Sequence, residues 1–150
     1  MSVSTAILGV GNSLHSDDGA GPYLAQLIAG KNPSILAFDC GTAPENFTGV
    51  VRKLHPDMLI IADASLMNLT PGSIRRIPKN KIEDAAIGTH MMPLSTLVDF
   101  LKEDIPHITV LGIQPASLDT GDCLTPTVEE AVRTSADLIL SENIEAIPIL

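Results

Sequence analysis

Asp18, Asp63 and His90 carry side chains suited to holding a divalent transition metal in an open site. Two carboxylates and one imidazole make a three-point donor set for such a cation. Three protein ligands with one position left open suit a site that acts on something, where a structural site would be closed. The spacing is long and irregular, and no HExxH pair is present, which excludes a zincin. Each residue also has a plainer reading. Asp18 follows Asp17 at the start of a helical pattern, where an acid satisfies free amides and suits the helix dipole. One acid is enough for that, so the adjacent pair asks for more. Asp63 closes an apolar run, where a carboxylate costs desolvation unless it is paired, or else bonds the Ala64 and Ser65 amides as a turn acid. His90 precedes Pro93 at a helix start, where solvated or capping histidines are common.

Other chemistries fit less well. Gly9-Val10-Gly11 with Asp39 further on suggests a dinucleotide fingerprint, but its third glycine would be residue 14, which is Leu14. The acidic loop would also repel a pyrophosphate. No Gly-rich loop ends in Lys and no GxSxG elbow is present, which argues against a P-loop and a serine hydrolase. Cys40 and Cys123 lie far apart, outside any CxxC pattern, and read as two reduced thiols. His15 reads as a surface residue, and His55 and His107 as structural. Asp17 and Asp39 are candidates for a supporting acid or base.

The elements that would carry these residues alternate between short apolar runs and helical patterns. Strands are expected at 5–10, 34–39, 57–63, 73–77 and 107–113. The run 57–63 is apolar on both faces, as a covered parallel strand should be. Arg75 and Arg76 place 73–77 at an edge. Helices are expected at 20–29 with Gly30 as the stop, at 93–104, and from Thr125-Pro126 onward. A further helix is expected with Thr42 as its cap and Pro44 at its start, burying Phe47, Val50, Val51 and Leu54. The order β-α-β-α-β-(β)-α-β-α points to a three-layer α/β fold with a mainly parallel sheet. Right-handed crossovers would put the strand ends after residues 10, 40, 63 and 113 on one rim, where ligands gather in such folds.

Length and composition agree. The chain has 150 residues, one domain's worth (1–150), with 45% apolar content and 3% aromatics, so its core is aliphatic. With 9 basic and 18 acidic residues the formal charge is −9, a poor match for nucleic acid or anionic lipid. No run approaches the roughly 18–20 apolar residues of a membrane span. The N-terminal Met-Ser-Val-Ser-Thr shows no basic n-region, so a cytoplasmic protein is expected.

Gly9-Val10-Gly11-Asn12 followed by Asp17-Asp18-Gly19-Ala20-Gly21-Pro22 resembles the opening motif of the hydrogenase maturation endopeptidases, which process the large subunit of nickel-iron hydrogenases. Ile61-Ala62-Asp63-Ala64 resembles their second acidic motif, and Thr89-His90-Met91-Met92-Pro93-Leu94 their histidine motif. Three segments look like the branch serving formate-hydrogenlyase (hydrogenase 3) type enzymes: Gly41-Thr42-Ala43-Pro44-Glu45-Asn46, Leu101-Lys102-Glu103-Asp104-Ile105 and Gly112-Ile113-Gln114-Pro115. The resemblance covers most of residues 5–115 and thins out around 118–124 and in the last helix.

The resemblance implies a twisted five-stranded mixed sheet between two helix layers, with 73–77 as its antiparallel strand. It also implies Asp18, Asp63 and His90 as the metal-reading and catalytic residues, with Asp17 outside the ligand set. The implied client is a hydrogenase large-subunit precursor carrying nickel, whose C-terminal extension is cut. Nickel is then the substrate's cargo, and the isolated protein could bind another divalent ion. A non-catalytic metal-binding assembly factor is the rival reading.

Overall fold

The computed structural model describes residues 3–87 and 92–150. Five strands form one sheet: β1 (Thr5–Val10), β2 (Ile35–Gly41), β3 (Met58–Ala64), β4 (Ile74–Ile77) and β5 (His107–Ile113). Their spatial order is β2-β1-β3-β5-β4. The first four in that order are parallel, and β4 runs antiparallel to β5. The helices are α1 (Ala20–Ile28), α2 (Thr48–Leu54), α3 (Ile82–Ala85), α4 (Leu94–Leu101) and α5 (Pro126–Leu140).

Strand alternation sorts the apolar side chains into two cores. Ile7, Ile60 and Ala62 face α1 and α5, meeting Leu24, Ile28, Val128 and Val132. Ala6, Leu8, Val10, Leu59 and Ile61 face the other way, onto Val51 of α2, Ile82 of α3 and Leu97 and Leu101 of α4. The expected three-layer arrangement is therefore present, with a mostly parallel mixed sheet. Edge strand β4 is covered by the C-terminal segment: the Arg76 side chain donates to the Ile147 carbonyl at 2.7 Å, and Arg76 N–H donates to Pro148 O at 2.8 Å. Both arginines lie on this edge, where their charges stay near solvent.

The register gathers the strand ends that matter. Val10 lies opposite Asp63 on one side and Gly41 on the other, and Asp63 lies opposite Gly112. Above this rim α1 sits unusually close to the sheet. A Cβ on Gly21 would lie 2.3 Å from the Val10 carbonyl oxygen and 2.4 Å from that of Ala62. On the strand side, a Cβ on Gly9 would lie 2.2 Å from Gly21 O. Only a pair of glycines lets backbone meet backbone here.

Some local expectations need correction. Thr42 caps nothing. The chain instead enters α2 through a 3-10 turn (Pro44–Phe47) whose N-cap is Ala43, with no side-chain cap bond. Val50, expected inside, is 39% exposed, because that tighter turn rotates the face that follows it. The helix at 93–104 ends at Leu101, and α3 lies in a segment whose pattern is too short to announce a helix. The stop at Gly30 is present, in the left-handed region at φ 76°.

Gly21→Ala should lower stability by an amount at or above the top of the ~1–3 kcal/mol overpacking range, read from chemical denaturation. Gly49→Ala, in a helix with nothing within 4 Å of the added carbon, should be neutral or stabilising by ~0.5–1 kcal/mol in the same experiment.

Candidate functional site

The loop leaving β1 reverses at once. Gly11 adopts φ 147°, and a Cβ there would fall 1.9 Å from the Asp18 carbonyl oxygen. Glycine therefore lets the chain fold back on itself and enter a 3-10 turn (Ser16–Gly19). In that turn Asp18 points back over the end of β1. Its Oδ2 accepts the Asn12 N–H at 3.0 Å, while Asn12 Oδ1 accepts the Leu14 N–H at 2.9 Å. Asp18 is half-buried, so a backbone donor fixes its carboxylate without burying it.

Asp17 does a different job. It is fully buried, and its two oxygens accept the N–H groups of Ala116 (2.8 Å), Ser117 (3.0 Å) and Thr125 (2.7 Å) together with the Thr125 hydroxyl (2.9 Å). Four donors on one carboxylate use its acceptor capacity. The role of supporting acid or base considered for Asp17 is therefore not available to it. It ties the first loop to the segment after β5 and to the start of α5. Further bonds join the same segments: Ser16 N–H to Gly121 O at 2.9 Å, Gly121 N–H to Leu14 O at 2.9 Å, and the Ser16 hydroxyl to Asp119 O at 2.8 Å. Residues 118–124, which matched no motif, thus form one wall of the Asp18 loop.

Asp63 ends β3 only 3% exposed and is engaged by the surrounding structure. It is no turn acid capping Ser65, because the Ser65 N–H donates to Ile113 O at 2.9 Å. The loop beyond it hangs on Gln114, a residue whose role sequence reasoning missed. Gln114 is buried, and its Oε1 accepts the Met67 N–H at 2.7 Å. A glutamine directly after a buried strand was the available signal. Leu14 (66% exposed) and Leu66 (47% exposed) stand on the loops that carry Asp18 and Asp63 and give the rim an apolar edge.

Asp18 and Asp63 are thus placed at the carboxyl ends of adjacent strands, as expected. His90 lies outside the described residues. Among the described residues no group of three or more His, Cys, Asp or Glu side chains could hold a metal ion. Asp39 is set apart from the pair: it is exposed, and its oxygens accept the Gly41 N–H (3.1 Å) and the Gln26 side-chain amide (3.3 Å). His15 is exposed, and His55 closes α2 in the left-handed region at φ 47°.

The sequence model of the hydrogenase maturation protease family matches residues 23–142. The chain belongs to this family. It is 42% identical over 134 residues to the hydrogenase 3 maturation protease of Escherichia coli K12, covering 88% of this chain and 86% of that one. The solution structure of the E. coli endopeptidase HycI superposes with a TM-score of 0.88 at 38% identity, covering 99% and 97% of the two chains. The nickel-iron hydrogenase maturation protease HycI of Thermococcus kodakarensis superposes with a TM-score of 0.80 at 26% identity, covering 94% and 92%. The activity is accordingly that of a HycI-type hydrogenase maturation endopeptidase.

The maturation protease has no cysteine suited to attack a peptide bond. Burial, helped by the charges of Asp39 and Glu45, pushes the Cys40 thiol up to about 12. Cys123 is exposed, and its thiol is also raised, first by its hydrogen bond to Asp122 and then by that carboxylate's charge. Neither sulfur is a thiolate at neutral pH, and the thiolate is the nucleophile. Iodoacetamide at pH 7.5 should therefore leave the protease active, with slow labelling at Cys123 and none at Cys40 by peptide mass spectrometry. Cys40 holds its proton more tightly folded than unfolded, so its contribution to stability is whole below pH 9.0 and declines from there towards about 12. A denaturation series should show Cys40→Ala losing less stability than the parent over that alkaline interval. Asp17→Asn would set an amide donor against the Thr125 N–H on one side or the Ala116 and Ser117 N–H groups on the other. It should destabilise the fold by ~2–4 kcal/mol in urea, more than Asp18→Asn does.

Proposed function

We propose that this endopeptidase removes the C-terminal extension of a hydrogenase large-subunit precursor that already carries nickel, and that it reads the metal through Asp18, Asp63 and His90. One observation supports this above the others. Of two adjacent acids at the mouth of the sheet, one is consumed by four structural donors, while its neighbour is aimed by a single N–H and left partly exposed beside the strand end that bears Asp63. A carboxylate restrained but not saturated is suited to accept a cation.

Nickel is part of the substrate in this reading. A borderline divalent ion takes oxygen and imidazole donors together, so two acids and a neutral His90 suit the exposed side of a metal held by the client. A precursor without metal offers nothing to bridge, and cleavage waits for insertion. Once bound, the client's metal fixes where the scissile bond lies, which converts a diffusive encounter into a positioned one. Hydrolysis then adds water oxygen to the carbonyl carbon and breaks the C–N bond. The water's protons end on the new carboxyl group and the released amine. In this reading a carboxylate of the site takes the first of them.

The cytoplasm is the compartment this reading implies, consistent with two free cysteines. Among the described residues no helix is long and apolar enough to cross a membrane.

Incubation of the protease with nickel-loaded and nickel-free precursor, read by intact mass, should shorten only the loaded form; equal processing of both would overturn metal reading. Asp18→Ala, Asp63→Ala and His90→Ala should each slow processing at least ~100-fold with the far-UV spectrum unchanged. Normal turnover in any one of them removes that residue from the site.

A further inference from the structure

The loops that carry Asp18 and Asp63 each turn one leucine out to solvent. Leu14 is 66% exposed and Leu66 is 47% exposed. A lone exposed leucine is ordinary, because apolar atoms make up much of any protein surface. These two differ in that their backbones are fixed and neither can fold inward. Leu14 is held on both sides: its N–H donates to Asn12 Oδ1 at 2.9 Å, and its carbonyl accepts the Gly121 N–H at 2.9 Å. The same Asn12 donates its own N–H to Asp18 Oδ2 at 3.0 Å, so one asparagine sets both the carboxylate and the leucine. Leu66 stands between buried Ser65 and buried Met67. The N–H groups of these three residues donate to Ile113 O, Ala85 O and Gln114 Oε1 at 2.9, 2.8 and 2.7 Å, which leaves the Leu66 side chain only the outward direction. Their anchors lie in opposite layers of the fold. Gly121 belongs to the segment leading into α5, and Ala85 ends α3 on the other face of the sheet. The strand ends with Asp18 and Asp63 lie between. Exposed Phe100, by contrast, is covered by the Arg52 guanidinium, 5.1 Å from its ring centre.

We propose that Leu14 and Leu66 are the docking anchors of this protease, seating on apolar surface of the hydrogenase large-subunit precursor on either side of the metal it carries. The inference deepens the processing function above and rests on it for the client. A protein that brings a cation within bonding distance of Asp18 must bring its own surface against the same short loop. Leu14 is the most exposed large apolar side chain among the described residues, and it stands on that loop. A carboxylate–cation contact is weak in bulk water and far stronger where water is excluded. Apolar contacts that ring a polar centre exclude water in this way. Both leucines are fixed before binding, so docking costs little ordering entropy. A second copy of this chain fits this face less well. It would bring a further Asp18 and Asp63, and another net charge of −9, against the first.

The test compares Leu14→Ser, Leu66→Ser and Leu14→Met with the parent on nickel-loaded precursor. It records KM by intact-mass turnover, precursor binding by calorimetry at low and high salt, and thermal midpoint. Each serine variant should raise KM and the dissociation constant about tenfold or more, the worth of burying one leucine. Each should melt at or above the parent temperature. Leu14→Met keeps an apolar side chain of similar volume and should bind within about threefold of the parent. Loss of a leucine lets salt reach the carboxylates, so binding by the serine variants should weaken more steeply with salt than binding by the parent. Unchanged KM and binding in either serine variant would overturn the proposal. A melting temperature lowered in both would also overturn it, by showing a structural role. A parent dimer in sedimentation equilibrium that Leu14→Ser dissociates would give the face to a second copy and overturn it as well. If the parent binds precursor in a leucine-dependent way yet leaves its mass unchanged, the processing reading fails and the docking assignment stands.

Discussion

The buried carboxylate of Asp17 holds the rim of this protease together. Its donors come from Ala116, Ser117 and Thr125, about a hundred residues further along the chain, so one side chain joins the loop after β1 to the segment after β5 and to the start of α5. Charge-assisted bonds of this kind are short and strong, and they replace the water that a buried carboxylate gives up. The Asp18 loop could otherwise fold many ways. With Asp17 anchored, and with Gly11 letting the chain double back, its neighbour has one direction left to face.

Two adjacent acids with opposite duties follow from this geometry. In a 3-10 turn successive side chains lie about 120° apart, so neighbours face different surroundings. Asp17 points inward and is saturated, and Asp18 points over the β1 strand end with one backbone donor. A site that accepts a cation from outside needs acceptors that are aimed and still partly unsatisfied. A site that keeps its shape while the cation is absent needs acceptors that are fully satisfied. The turn supplies one saturated carboxylate and one with a single backbone donor, the pairing that the proposed metal reading asks for. The parallel register then sets Asp63 on the adjacent strand, across from Val10.

Close contact beneath the rim makes this placement rigid. With no side chain between Gly21 and the carbonyls of Val10 and Ala62, α1 rests directly on β1 and β3. The turn that enters α1 is therefore held close to both strand ends. Gln114 steadies the other side, holding the loop beyond Asp63 through the Met67 N–H. Each support comes from the sheet and its close-packed layers, which are low in compressibility. Glu45 departs from this pattern: its turn is well made, yet it leaves a polar atom without a partner.

Much of this was legible in the residues alone, wherever periodicity is local. The five strands, the edge position of β4 with its two arginines, and the gathering of Asp18 and Asp63 at one rim follow from alternation, apolar runs and crossover handedness. Family motifs add His90 to that pair, and its position lies outside the described residues. Tertiary structure decided which of the two adjacent acids is structural, because the donors that saturate Asp17 are remote in sequence and no spacing rule announces them. It also turned Val50 outward through a 3-10 entry, set Gln114 to brace a loop and left Glu45 without a donor. The order of elements is written in local hydrophobic pattern, which a chain carries with it unfolded. The satisfaction of individual polar atoms depends on which distant backbone groups arrive beside them, and that exists only once the layers have packed.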